Sequence, residues 1–366
     1  MRVKAPQSLV AFPKNDQVVV YNYLTKDAIT CAPADVYWLM IAGQWTSIDE
    51  IIEKHPNVEP QSLRHELHNL VEAGILLAEG SKQAELEMNY AAQWEMGIAA
   101  GLYHFAALDN EFGTAEDSVS RQKEKNLSDP SPALYWKNSG NAHRLPACQM
   151  KQTGSLLEIM ERRRTTRKVL TTPLTLEALS ECLFAGLGIT GFVQTETALL
   201  PLKMTPSGGA RNPFEAFVWV KNVQGLDPGL YHYSASEHSA QFIDKLPQAS
   251  AQNFVQKQDW ADDMPAIIFL VAVLERVTWK YNDPNAYRVV MIEAGHIAQN
   301  MMLACSNNSL TACPTAALNH TQISNVLGLS SITQTPIYAI LIGHPTDTDD
   351  IIIPVSSVTM NVQKNK

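Results

Sequence analysis

The densest chemistry in the chain lies in Glu161-Arg162-Arg163-Arg164-Thr165-Thr166-Arg167-Lys168. Five cations within seven residues repel one another unless something anionic sits among them. Arg forks match phosphate oxygens and the Thr hydroxyls add donors, so phosphate binding competes with the commoner reading of such a run as a solvated basic surface. A second feature, Thr205-Pro206-Ser207-Gly208-Gly209-Ala210-Arg211-Asn212-Pro213, precedes a strand-like run. Its paired glycines let backbone approach a flat ring or a phosphate closely, and Ser207 can hydrogen-bond it, although many hairpins contain such a turn. Metal chemistry is not indicated. His232 and His296 lack ligand company and read as structural, and the five scattered cysteines have no CxxC spacing, against a disulfide framework or zinc site.

The elements that must position these residues fall into three regions. Residues 1–85 read as strand Gln17–Leu24, helix Ala34–Ile41, a helix opened by the capping box of Ser47 and Glu50, a third helix with Leu63, Leu67 and Leu70 on one face, and strand Ile75–Leu77. That order predicts a small winged-helix-like module. Between Thr46 and Gly80 seven acids face two cations, so duplex DNA would be repelled, and docking of a peptide or protein, or a structural role, fits better. Residues 86–153 read as a largely buried aromatic helix, with His104 packed inside it, followed by a polar linker or lid from about Gly113. Residues 154–366 mix helical and strand patterns, with Phe214–Lys221, Pro265–Leu274 and Ile337–Gly343 as the clearest strands, and predict an α+β core. Met301 and Met302 read as packing residues.

Composition bounds the function. A chain of 366 residues, 45% hydrophobic and 18% charged, can bury a large core in two or three domains. A net charge of −9 argues against non-specific nucleic-acid or anionic-membrane partners. The first residues hold no signal-like apolar stretch, and no run approaches the ~18 apolar residues of a membrane span, so the cytoplasm is the expected compartment.

Taken in order, Arg163-Arg164-Thr165-x-Arg167, Pro206-Ser207-Gly208-Gly209-Ala210-Arg211-x-Pro213 and Gly229-Leu230-Tyr231-His232-Tyr233 resemble the SagB-type dehydrogenases, FMN-dependent enzymes of nitroreductase fold. The resemblance continues through Trp279-Lys280-Tyr281, Tyr287-Arg288 and Glu293–Asn300 to Ile342-Gly343-His344-Pro345, covering roughly 155–345. It implies that Arg163, Arg164, Thr165 and Arg167 grip the FMN phosphate. It also implies that Pro206, Ser207, Gly208 and Gly209 line the ring and ribityl chain, and that the stretch with Thr315 and Ala316 offers a backbone amide to flavin N5. Lys280 and Tyr281 match a Lys-Tyr pair implicated in azoline-to-azole oxidation, where a base takes a proton from carbon. Burial or neighbouring cations such as Arg276 and Arg288 would lower the Lys280 pKa. A homodimer follows from the same resemblance. The segment 346–353 departs from it, being acidic where a basic residue often completes the phosphate site, and Cys313 has no counterpart role.

The expectation is an FMN-dependent dehydrogenase of a peptide or peptide-derived substrate, with the N-terminal module docking the substrate or a partner maturation enzyme. Two alternatives stand beside it: a reductase passing hydride from NAD(P)H to a nitro, quinone or ene acceptor, and a flavin-free docking subunit of a maturation complex.

Overall fold

The computed structural model describes residues 1–109, 114–149, 151–330 and 332–346. The acidic segment beyond Thr346 therefore lies outside the described residues. The chain divides into two compact units, Met1–Phe112 with Asp283–Asn285, and Gly113–Asn282 with Ala286–Lys366.

The first unit runs β1 (Arg2–Lys4), β2 (Leu9–Lys14), β3 (Gln17–Asn22), β4 (Asp27–Cys31), α1 (Pro33–Ile41), β5 (Thr46–Ser47), α2 (Ile48–Lys54), α3 (Pro60–Glu72), β6 (Leu77–Ala78), α4 (Lys82–Gln93) and α5 (Gly97–Ala106). β1 lies between β5 and β6, and β2-β3-β4 form a second antiparallel sheet. The Ser47–Glu50 box caps α2, with Glu50 N donating to Ser47 Oγ at 3.1 Å. Leu63, Leu67 and Leu70 on α3 are buried with Ile48, Ile51, Val3 and Trp38 in one cluster. The 86–108 stretch is not one buried helix. It breaks after Gln93, and Gly97 takes a φ of +78°, a conformation that glycine adopts without strain. Leu86, Met88, Met96 and Ile98 are exposed. His104 is exposed too, with its ring 5.3 Å from that of Trp94.

The second unit runs α6 (Ala115–Ser128), β7 (His143–Arg144), α7 (Leu156–Arg162), α8 (Leu176–Leu187), β8 (Ile189–Gln194), β9 (Leu199–Lys203), β10 (Phe214–Val220), β11 (Gly229–Ser234), β12 (Ser239–Asp244), β13 (Ala266–Val273), α9 (Glu275–Thr278), α10 (Pro284–Asn307), β14 (Thr311–Thr315), α11 (His320–Leu327) and β15 (Gln334–Gly343). Seven strands pair antiparallel in the order β14-β15-β13-β10-β11-β12-β7. Both faces are buried, which explains the unbroken apolar run of β13 and the run of β10, apolar except for Glu215. Ile268, Leu270 and Val218 pack with Leu183 of α8 and Ile297 and Met301 of α10, whereas Phe217, Trp219 and Phe269 pack with Phe254 and Ile323. Each such side chain contributes about 1.5–3 kcal/mol of burial. The architecture is α+β with a nitroreductase-like fold.

The register decides where the chemistry sits. Phe214, just after the glycine loop, pairs with Ala272, which pairs with Thr335. At the other end of the same strands, Val220 pairs with Ala266, Ala266 with Ile342, and Thr311 with Gly343. The glycine loop and the start of β14 thus lie at opposite ends of the sheet, separated along the strands by ~20 Å.

Candidate functional site

The Arg/Thr run is delivered by a capped helix. Ser155 and Glu158 form a capping box at the start of α7, and the chain leaves the helix at Arg163. It then lies against the sheet end: Thr166 N donates to Thr311 Oγ1 at 2.9 Å, Cys313 Sγ to Thr166 O at 3.1 Å, and Leu170 N to His344 O at 2.8 Å. Arg163 donates to Thr165 Oγ1 at 3.3 Å, and the Arg167 guanidinium sits 5.5 Å over the Trp260 ring. Among the described residues no carboxylate pairs with Arg163, Arg164 or Arg167. Burial pushes the Cys313 thiol up, partly offset by its Thr311 hydrogen bond and the Arg167 charge, so it keeps its proton and ties down this segment. Farther along β14, Thr315 Oγ1 accepts from Gln258 Nε2 at 3.0 Å and from Ala317 N at 3.1 Å, which leaves Ala316 and Ala317 exposed at a fixed turn.

The glycine loop is held from below. Ser207 Oγ accepts from Asn212 N at 2.8 Å, and Gly208 N donates to Glu293 Oε2 of α10 at 3.3 Å. Burial raises Glu293 to about 7, against the lowering effects of Ser207, the Gly208 amide and the Lys203 charge. Lys203, at the end of β9, is in turn lowered by desolvation to about 8. Gly209 has a φ of +59°, and a Cβ there would meet Tyr281 Oη at 2.2 Å; one on Gly208 would meet Val289 Cγ1 at 2.5 Å. The paired glycines are therefore required by protein packing, and the packing partner of Gly209 is Tyr281. Pro206 is exposed beside them.

Lys280 follows Trp279 after α9. Burial and then the Arg211 charge lower its pKa. The sequence offered burial or cations such as Arg276 and Arg288 as the cause; burial acts as expected, but the acting cation is Arg211. Arg276 is fully buried and neutralised by Glu215, which His232 also contacts at 3.0 Å. The Glu215 carboxyl, which burial would raise, is held below its usual range by His232, Arg276 and Lys203. Trp279 is fixed by residues read from composition as linker or lid. Its Nε1 donates to Asp129 O at 2.7 Å, its carbonyl accepts from Lys125 Nζ at 2.7 Å, and Lys125 Nζ and Arg211 Cζ lie 5.6 and 4.8 Å from its ring centroid. Arg211 further donates to Ser131 Oγ at 2.7 Å, and Arg276 to Ala133 O at 2.7 Å. A cavity of about 170 Å³ lies here, bounded by α6, the β8–β9 hairpin, Gly209, Arg211, Trp279 and Lys280.

The structure thus brings Lys280 and Tyr281 to the glycine loop, and the 163–167 run to β14. It does not bring these two groups together within one chain. Sequence reasoning passed over Glu293, Lys203, Glu215 and Trp279 as site residues; Arg211 and Glu293 stood inside quoted motifs, but their burial and neighbours carry no sequence signature. The donor set near β14, guanidinium and hydroxyl groups without paired carboxylates, has the chemistry of a phosphate site, and it fits a flavin mononucleotide.

A family model described as the nitroreductase family matches residues 160–344. “Putative nitroreductase MJ1384” of Methanocaldococcus jannaschii is 32% identical over 176 residues, 47% of this chain and 83% of that protein. The trifolitoxin-processing protein TfxB of Rhizobium leguminosarum bv. trifolii is 27% identical over 145 residues, 38% of this chain and 39% of TfxB. A chain of the E. coli microcin synthetase McbBCD complex is 16% identical, with a TM-score of 0.43, covering 65% of this chain and 95% of that one. No described helix is long and apolar enough to cross a membrane. The family match over residues 160–344, half of the chain, leads to one assignment: the chain belongs to the nitroreductase family of flavin oxidoreductases, and its cofactor is FMN.

Proposed function

We propose that the protein is a dehydrogenase of a peptide or peptide-derived substrate, with oxidation of azolines to azoles as the reaction. The observation that carries the reading is the placement of Lys280 and Tyr281: Tyr281 packs on Gly209, and Lys280 lines the cavity beside it with a pKa below the usual ammonium range. Bound FMN supplies a two-electron acceptor for hydride. Lys280, neutral at the start, takes the proton from the adjacent ring atom as the double bond forms, so the substrate loses one proton and one hydride in all. Tyr281 orients the ammonium, whose Nζ lies 5.3 Å over its ring. Arg163, Arg164, Thr165 and Arg167 would hold the phosphate, Thr315 and Ala316 would offer backbone to the flavin, and Pro206, Ser207, Gly208 and Gly209 would line the ring and ribityl chain. The similarity to TfxB, a toxin-processing protein by name, favours a peptide substrate over a free nitro or quinone acceptor.

A homodimer completes this site. The phosphate run and the glycine loop occupy opposite sheet ends, so a loop from a second copy reaches the flavin held by the first. Exposed apolar residues, Met291 and Ile292 on α10 with Leu156 and Leu157 on α7, supply surface for that contact. The N-terminal unit docks the peptide or a partner maturation enzyme.

The test is the double variant Lys280→Ala with Tyr281→Phe. Fold, dimer and FMN content should persist, dithionite should still reduce the flavin, and substrate oxidation should fall by roughly 100-fold. Oxidation at the wild-type rate would remove the catalytic assignment, and loss of flavin would make the pair structural.

A further inference from the structure

The cavity between α6, the β8–β9 hairpin and the glycine loop has an unusual charge balance. In the buried polar layer beneath it, Arg276 is neutralised by Glu215, and Lys203 lies opposite Glu293. Arg211 has no such partner: Nε donates to Arg276 O and Nη2 to Ser131 Oγ, both neutral acceptors. Its other close titratable groups are the Tyr281 phenol and the cations Arg276 and Lys280. Lys125, over the same Trp279 ring, is paired with Asp129 at 3.6 Å, and Lys123 at 2.6 Å with Glu196. Among the described residues no carboxylate lies within ion-pair reach of Arg211 or Lys280. The rest of the wall is neutral and polar, with Gln122 and Asn126 from α6 and Thr195 and Thr197 from the hairpin. A buried guanidinium with no counter-charge is costly, and a ligand that brings one recovers that cost.

We infer that this cavity is a carboxylate-binding pocket for the substrate, with Arg211 as the anion's partner and Lys280 on the adjoining wall. It deepens the dehydrogenase reading above and rests on it for the role of Lys280. The pocket's ~170 Å³ equals roughly five or six waters at ~30 Å³ each, the size of one amino-acid residue. It shares Ser131 and Ala198 with a larger recess of about 580 Å³ along the extended segment 131–137. A single residue fits the inner pocket and its flanking chain the outer recess. The carboxylate that enters supplies Arg211 with the counter-charge that the pocket wall lacks.

The experiment measures binding without turnover, so it stands whether or not the enzyme oxidises peptides. The FMN-loaded protein is titrated by calorimetry with three acids: acetate, N-acetylglycine as a chain terminus, and N-acetyl-aspartate α-amide as a side chain. N-acetylglycinamide is the neutral control. We expect one of the residue-sized acids to bind at least tenfold tighter than the neutral amide, and which one identifies the source of the carboxylate. Arg211→Gln should lower acid affinity at least tenfold, with Arg211→Lys restoring part of it. Because Arg211 is buried, Ala198→Trp, which fills the pocket from the hairpin, provides a second test and should abolish binding. Equal affinity for acid and amide, or unchanged binding in Ala198→Trp, would overturn the inference. So would unchanged acid binding in Arg211→Gln together with a more negative flavin potential, since Arg211 would then compensate the reduced cofactor.

Discussion

Glu293 is a carboxyl placed where a carboxylate is costly, and the cost has a pH signature. Its folded-state value is raised from 4.5 to about 7, so the unfolded chain gives up this proton first. The contribution to stability is fully present below about pH 4.5 and is lost as pH rises through about 7. The total is about 3 kcal/mol from this one group. Glu293→Gln cannot ionise and should melt progressively higher relative to wild type between pH 5 and 8. Parallel melting temperatures across that range would mean that the carboxyl is not raised. The phosphate run gives a second residue-scale expectation. Arg163→Ala with Arg167→Ala removes two unpaired guanidinium groups at the β14 end and should leave a colourless protein, read by absorbance near 450 nm after reconstitution with excess FMN. Retention of FMN at wild-type affinity would move the phosphate elsewhere.

At the scale of elements, the glycine loop and Tyr281 form one packing unit. Gly209→Ala introduces a Cβ 2.2 Å from Tyr281 Oη at a φ of +59°, so both the backbone and the ring must give. The substitution should cost about 1–3 kcal/mol, measured by urea unfolding. Tyr281→Phe in the Gly209→Ala background should recover part of the loss, because the nearest clashing atom is gone while the ring carbons at 3.0 Å remain. Strict additivity of the two substitutions would separate the loop from the ring. Several elements were legible beforehand. The Ser47–Glu50 box and the Leu63, Leu67, Leu70 stripe carry local signals, and so do the apolar runs of β10 and β13. The break after Gln93 was not legible, since the aromatic spacing continues across it, and only the extended backbone at Trp94 and the positive φ of Gly97 separate the two helices. Likewise the polar composition of 114–138 gives no sign that its carbonyls accept from Trp279 and Arg276, or that its Lys125 donates to the Trp279 carbonyl.

For the whole molecule, the opposed placement of the 163–167 run and the glycine loop supports the proposal that flavin binding draws on a second copy. Met291→Asp with Ile292→Asp should yield a monomer that has lost FMN, followed by size-exclusion chromatography with absorbance detection. A monomer that keeps its flavin would mean that one chain builds the site alone. Deleting residues 1–112 removes the N-terminal unit and should leave the second unit yellow while weakening substrate capture. The intact protein should not bind duplex DNA at physiological salt, because the stretch around α3 carries seven acids against two cations.

The sequence by itself determined the residue types that can do chemistry and their order, and hence the FMN and nitroreductase-like expectation. Charge clustering, glycine pairs and capping residues act locally, and local physics is written in adjacent letters. Only the tertiary structure decided which of these groups meet. Strand register sent the 163–167 run and the 205–213 loop to opposite ends of one sheet. Burial made Arg276 the partner of Glu215 and left Arg211 to act on Lys280. Those outcomes depend on pairings between residues 60 or more positions apart, such as Arg276 with Glu215 and Trp279 with Asp129, where the energy comes from desolvation and geometry rather than from sequence neighbours.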